Sequence, residues 1–138
     1  GYKYWIQVVD DYTRHGLCEF NKQKTGMGTF IRKIITNLRA MGLETKYLCC
    51  DNAGEHLKAM VALCEEFNMQ LELTAPDTPQ QNGVVERRIV ILKQRALAMM
   101  IAAGITEKMR EVLWCEAADC AIDLENISAS TVRNVFPV

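Results

Sequence analysis

The chain lacks any apolar run near the roughly 20 residues that a spanning helix needs. A helical membrane protein is therefore not expected. No basic segment precedes an apolar stretch at its start, so no secretory leader is read there, and the protein is expected to be intracellular. The first residue is Gly1 rather than Met, which reads as a piece of a longer chain. Net charge is only −1, so bulk electrostatics does not by itself mark a nucleic-acid binder. The two histidines, His15 and His56, lie apart, and none of the six cysteines (Cys18, Cys49, Cys50, Cys64, Cys115, Cys120) forms a C-x-x-C pair. That spacing argues against a zinc module. Cys49 and Cys50 are adjacent on an expected strand and point to opposite faces. The thiols are read as buried and reduced. Internal repeats and low-complexity segments are absent.

What is present is enough apolar material, 49% of 138 residues, for one domain with one core, taken as 1–138 with 105–138 as a C-terminal helical extension. Charge is unevenly spread. Residues 1–48 carry eight Lys/Arg against four Asp/Glu, 49–86 one against seven, 87–106 four against none, and 107–138 three against six. An acidic middle followed by a basic helix start suits a metal site beside a phosphate track, although ordinary surface charge is the simpler reading of the distribution alone.

Residues 2–10 read as a strand, rich in aromatic and β-branched side chains, and 16–20 as its hairpin partner after a turn at 11–14. A helix opens near Lys24-Thr25-Gly26, with Thr25 or Thr29 as cap, and runs on Phe30, Ile31, Ile34, Ile35, Leu38 and Met41 until Gly42. A third strand at 45–50 ends at Asp51. Gly54 breaks the chain, and a helix at 57–67 turns Met60, Val61, Leu63, Cys64 and Phe67 inward. A short strand follows at 69–73, and 75–83, with two prolines and a glycine, reads as a loop. A long helix from Val84 to about Ala103 buries Val85, Ile89, Leu92, Ala96 and Met99. After Gly104, a last helix from Thr106 or Glu107 to about Ile127 buries Leu113, Trp114, Ala117, Ala121 and Leu124. The order β-β-α-β-α-β-α-α indicates a mixed sheet with helices packed on it.

Asp51 and Glu86, 35 positions apart, stand out chemically. A carboxylate at a strand end, a polar Gly-containing loop and a carboxylate entering a helix is one way to build a divalent-metal site. Mg²⁺ prefers oxygen ligands and takes only one or two protein carboxylates. Phosphodiester chemistry by two metals needs carboxylates converging on ions roughly 3.5–4 Å apart. Taken singly, each has a structural alternative: Asp51 as a turn cap, Glu86 as a charge on a helix N-terminus, favoured by about 0.3–1 kcal/mol.

Four blocks in order carry a resemblance. They are Tyr4-Trp5-Ile6-Gln7-Val8-Val9-Asp10-Asp11-Tyr12-Thr13-Arg14; Cys50-Asp51-Asn52-Ala53-Gly54-Glu55; Leu73-Thr74-Ala75-Pro76 with Thr78-Pro79-Gln80-Gln81-Asn82-Gly83-Val84-Val85-Glu86-Arg87; and Leu113-Trp114-Cys115-Glu116-Ala117-Ala118. Together they resemble the integrase catalytic core of copia-type LTR retrotransposons, in the retroviral integrase superfamily. The resemblance implies an α/β, ribonuclease-H-like mixed sheet flanked by helices, and a polynucleotidyl transferase that processes the 3′ ends of element DNA and joins them to target DNA. It makes Asp51 and Glu86 the second and third members of an Asp-Asp-Glu triad that binds Mg²⁺ or Mn²⁺. It makes Gln80, Gln81, Asn82 and Gly83 a mobile loop beside the DNA end, and Lys93, seven residues past Glu86 on the same helix face, a DNA contact. Arg87 and Arg88 are candidate phosphate contacts, with a solvated helix face as the alternative for all three cations and Arg88 the nearer to it. Element-end and target DNA, a homo-oligomer and, for the parent protein, the nucleus are the implied partners and location.

The resemblance also places the first triad carboxylate, with the first and central strand, ahead of Gly1. Two strands, 2–10 and 45–50, would then lack a neighbour and present open edges. Asp10 and Asp11 fall at the turn after the family's second strand and are read as structural, and Glu55 as a helix cap. Ala53 and His56 depart from residues common in the family at non-triad positions. An alternative function follows: a non-catalytic remnant that binds nucleic acid or dimerises through the apolar faces of its last two helices. A cellular nuclease of the same fold is a weaker third, because the Gln80-Gln81-Asn82-Gly83 loop belongs to transposition enzymes.

Overall fold

A run rich in aromatic and β-branched residues near the start of the chain forms β1 (Tyr4–Val9), which pairs antiparallel with β2 (Gly16–Asn21) in the register Trp5↔Phe20, Gln7↔Cys18, Val9↔Gly16. The structure, a computed structural model, describes residues 1–51, 54–74 and 79–128, with the backbone alone at 54–55 and 79–82. After the hairpin come α1 (Met27–Ala40), β3 (Tyr47–Cys50), α2 (Gly54–Glu66), β4 (Gln70–Leu73), α3 (Pro79–Ala102) and α4 (Glu107–Asn126). The mixed α/β element order expected from the sequence is present. β3 and β4 pair in parallel, with Tyr47↔Gln70 and Cys50↔Leu73. The described strands make two two-stranded sheets, β1 with β2 and β3 with β4, rather than the one mixed sheet expected. Among those residues no helix is long and apolar enough to cross a membrane.

The chain divides into two compact units. The first comprises Gly1–Lys22 and Val85–Val138. Its hairpin presents Trp5, Cys18 and Phe20 to a buried cluster of Leu92 and Ala96 from α3 and Ala118, Ala121 and Ile122 from α4. Trp5, Phe20 and Trp114 stack in tilted and edge-on pairs with ring centroids 5.2–6.5 Å apart, within the range that favours aromatic pairs.

The second unit is Gln23–Val84. Phe30, Ile31 and Ile35 on α1 and Met60, Leu63 and Cys64 on α2 supply its core. Gly28 faces Ala59 across the helix contact, where a Cβ would sit at an ordinary van der Waals distance of 3.6 Å. Arg32 pairs with Glu66, and Arg39 donates to the Phe67 carbonyl while lying 5.0 Å over the Phe67 ring.

Several boundaries differ from expectation. Neither Thr25 nor Thr29 caps α1; its N-cap is Gly26, with no side-chain cap bond. Gly42 does end it, at φ 77°, with its N–H donating to Arg39 O and that of Leu43 to Leu38 O. Gly54 opens α2 rather than breaking the chain before it, and Val61 is exposed. Part of the expected loop is helix, because α3 starts at Pro79; proline has no N–H to lose in a first turn and its φ already suits one. Asp77 and Thr78 lie outside the described residues. On α4 the buried face is Cys115, Ala118, Ala121, Ile122 and Asn126, while Leu124 is 48% exposed. Small side chains face the core there, so size at the contact outranks hydrophobicity in choosing the face.

Leu92 is completely buried, and Leu92→Ala should lower stability by about 2–5 kcal/mol in urea denaturation. Leu97→Ala, on the same helix but 47% exposed, should change it by no more than about 0.5 kcal/mol.

Candidate functional site

Asp51 follows directly on the last residue of β3. It stands outside the carboxyl end of a parallel strand, where open α/β sheets place their ligands. Its side chain is exposed and makes no hydrogen bond or ion pair among the described residues. Its charge is felt locally: burial pushes the Cys50 thiol up, and Asp51 pushes it further.

Glu86 is exposed on α3, also without a hydrogen bond or ion pair among the described residues. The helix was expected to start near it. It starts at Pro79, about two turns earlier. Helix-dipole stabilisation fades beyond the first turn, so the N-terminal-charge alternative for Glu86 is lost. Arg87 and Lys93 are exposed on the same helix, and Gln80, Gln81, Asn82 and Gly83 belong to it rather than to a loop. The side chains of Gln80, Gln81 and Asn82 lie outside the described residues, as does that of Glu55. Lys93 borders a groove of about 440 Å³ in the first unit, floored by Trp5, Trp114 and Met100 and edged by Arg110, Glu107 and Glu111. Asp51 belongs to the second unit, Glu86 and Lys93 to the first.

Arg88 does not match its expected role. It is 6% exposed and its guanidinium donates to the Arg14 carbonyl and to Asn126 Oδ1, so it is neither a phosphate contact nor part of a solvated face. Burial lowers its pKa, Glu125 raises it, and Arg95 and Arg14 lower it again; an arginine stays charged under such pressure. Its acceptor Asn126, and Gly16, which Asn126 holds, were also missed. An asparagine on the inward face of a helix and a glycine opening a strand were the available signals, the second marking close approach by another group.

Asp10 and Asp11 have structural roles. Asp10 Oδ2 accepts from both the Thr13 amide and its hydroxyl, each at 2.6 Å, which closes the hairpin turn. Asp11 pairs with Arg14. Among the described residues no three His, Cys, Asp or Glu side chains converge on a metal-sized space. The carboxylate oxygens of Asp51 and Glu86 are nevertheless the donors Mg²⁺ or Mn²⁺ takes, and one or two from the protein suffice beside water and phosphate. No disulfide forms among the described residues; Cys64 and Cys115 are buried, as expected, but Cys49 and Cys120 are exposed. Burial, then a hydrogen bond to Asp119 at 3.3 Å, pushes the Cys18 thiol up to about 12, and burial lifts Cys115 to about 11, so neither is a nucleophile at neutral pH.

The chain is 31% identical over 134 residues, 94% of its length, to the retrovirus-related Pol polyprotein from transposon TNT 1-94 of Nicotiana tabacum. It spans 10% of that protein's length. It also superposes, at a TM-score of 0.71 and 15% identity, on a chain in the cryo-EM structure of the simian T-cell lymphotropic virus intasome in complex with PP2A regulatory subunit B56 gamma, covering 96% of this chain and 46% of that one. No protein-family profile matches. The chain is thus related to a segment of a retrotransposon Pol polyprotein and shares the fold of a chain found in a retroviral intasome.

Burial raises the Asp10 pKa, but bonds from the Thr13 hydroxyl and the Thr13 and Tyr12 amides, with the charge of His15, outweigh it, and the net shift is downward. A carboxyl lowered on folding contributes stability above its unfolded pKa, near 3.9, and loses it as pH falls through the folded value. Asp10→Asn should therefore lose less stability than the parent chain between pH 6 and pH 2 in urea titrations.

Proposed function

We propose that this chain is part of the catalytic core of a retrotransposon integrase, built on a ribonuclease-H-like sheet and acting in 3′-end processing and strand transfer of element DNA. The observation that supports it most is the state of its two marked carboxylates. Asp51 is exposed just past a parallel strand and Glu86 is exposed two turns into α3, and neither has a structural partner among the described residues, in a chain related to a Pol polyprotein.

In this reading Asp51 and Glu86 are the carboxylates that would hold Mg²⁺ or Mn²⁺. The ions would lower the barrier by activating the attacking hydroxyl and stabilising the leaving oxygen. The protein's own contribution is placement. Asp51 is held by β3, whose last residue is laddered to β4, so its backbone has little freedom. Arg87 and Lys93 present cations on exposed positions of α3, where they can meet the phosphates of a DNA end. Gln80, Gln81 and Asn82, in the same helix, are the further candidates for DNA contact in this reading.

A second reading, a non-catalytic binding or self-association module, draws on exposed apolar residues of the last two helices: Leu97 is 47% exposed, Ile101 55%, Met109 51% and Val112 72%. The two readings separate on metal. A catalytic core binds an element-end duplex in a metal-coupled way; a remnant binds it equally well in chelator.

The decisive test uses the integrase that contains this chain, with a labelled element-end duplex and Mg²⁺ or Mn²⁺. Asp51→Asn and Glu86→Gln should each cut strand transfer by at least about 10²–10³-fold, the cost typical of losing a preorganised electrostatic group, with duplex binding retained. Unchanged joining by Glu86→Gln would remove Glu86 from the site.

A further inference from the structure

The Arg88 guanidinium lies at the centre of a buried polar knot in the first unit. Its Nη1 donates to the Arg14 carbonyl, and its Nη2 donates to Asn126 Oδ1 at 3.1 Å. Its Nε lies 3.6 Å from Glu125 Oε1, and the other oxygen of Glu125 accepts from Arg95 at 2.8 Å. The Asn126 amide grips Gly16 from both sides: Oδ1 accepts from the Gly16 N–H at 2.8 Å, and Nδ2 donates to the Gly16 carbonyl at 2.8 Å. Arg14 adopts φ 65°, a conformation uncommon outside glycine, in the turn that offers its carbonyl. Gly16 has no room for a side chain, because a Cβ would sit 2.6 Å from Arg88 Nη2 and 2.8 Å from Cζ. One side chain of α3 thus ties together the hairpin turn and the end of α4.

Arg88 is two residues past Glu86, about 200° round the helix, so the one is buried while the other faces solvent. The rest of the α3 seam, Leu92 and Ala96, is apolar, and apolar burial is non-directional. It tolerates small rotations and slides of a helix. Hydrogen bonds from a planar fork do not.

We infer that Arg88 is a positioning residue: its fork on Arg14 and Asn126, held beside the Glu125 carboxylate, sets the rotation and height of the part of α3 that carries Glu86. The inference rests on Glu86 being a metal-binding carboxylate. Displacements of about 1 Å at a reacting centre cost about 10²-fold in rate, so a loosened fork is felt in turnover before it is felt in binding.

The test compares Arg88→Lys, Glu125→Gln and Glu86→Gln in the integrase that contains this chain. Lysine keeps the charge but is a single point donor and cannot serve the same acceptors. Arg88→Lys should lower strand-transfer turnover by about 10- to 100-fold, with the Kd for an element-end duplex unchanged within about threefold. Amide exchange at Gly16 and across residues 86–93 should quicken by at least about tenfold, one 1.4 kcal/mol step. Glu125→Gln keeps the shape of the knot and should act in the same direction by about three- to tenfold, and it decides the matter if Arg88→Lys does not fold. Wild-type turnover and exchange in the folded variants overturn the positioning role. A fall in duplex affinity matching the fall in turnover also overturns it, because Arg88 would then act on DNA binding. If Glu86→Gln keeps full turnover, the metal-site reading fails instead, and exchange at Gly16 alone reports whether the fork holds the helix.

Discussion

Removal of Leu92 and Ala96 from water, against Ala118, Ala121 and Ile122, is the interaction on which the first unit depends. It gives α3 and α4 a common apolar seam and a floor on which Trp5, Phe20 and Trp114 can stack. Small residues dominate the α4 side of the seam. They lose little side-chain entropy on burial and bring modest area, so much of the hydrophobic stabilisation comes from Leu92, Ile122 and the aromatic rings.

A seam of this kind holds helices together without saying how each is turned. That information resides in polar contacts. A buried charge is a weak source of stability, since desolvation offsets much of its attraction. Arg88 meets part of that cost with hydrogen bonds to a carbonyl and an amide oxygen and with the Glu125 carboxylate 3.6 Å from its Nε, which has no hydrogen-bond partner among the described residues, and it links residues far apart in sequence: Arg14 and Gly16 in the hairpin, Glu125 and Asn126 at the end of α4. Glycine at position 16 is the steric condition for this arrangement.

In the second unit the equivalent constraint is the contact of α1 with α2, built on the burial of Phe30, Ile31, Ile35, Met60 and Leu63 and supported by Arg32 with Glu66 and Arg39 with Phe67. Asn68, at φ 49°, then turns the chain out of α2 and into β4, with the Met69 N–H returning to Cys64 O. The parallel pair β3–β4 follows, and with it the position of Asp51 just past the strand.

Element order, the hairpin pairing and the glycine stop at Gly42 were legible in the sequence, because each rests on local periodicity or on one residue's backbone preference. The candidate carboxylates were legible too, from residue type and surrounding blocks. What local patterns do not carry is which face of a long helix is buried. The expected stripe on α3 was Val85, Ile89, Leu92, Ala96 and Met99; Leu92 and Ala96 are buried as expected, but Val85, Ile89 and Met99 are only half-buried, and Arg88 and Met100 complete the buried face. On α4, Leu124 gave way to Ile122 and Asn126. Hydrophobicity ranks an arginine or an asparagine as surface, and only partners brought in by the tertiary structure make their burial affordable. The sequence by itself thus determined the elements and the chemistry on offer at Asp51 and Glu86. The tertiary structure decided that Glu86 lies well inside a helix rather than at its start, and that the cation next to Arg87 faces the core, because both depend on contacts with chain segments remote in sequence.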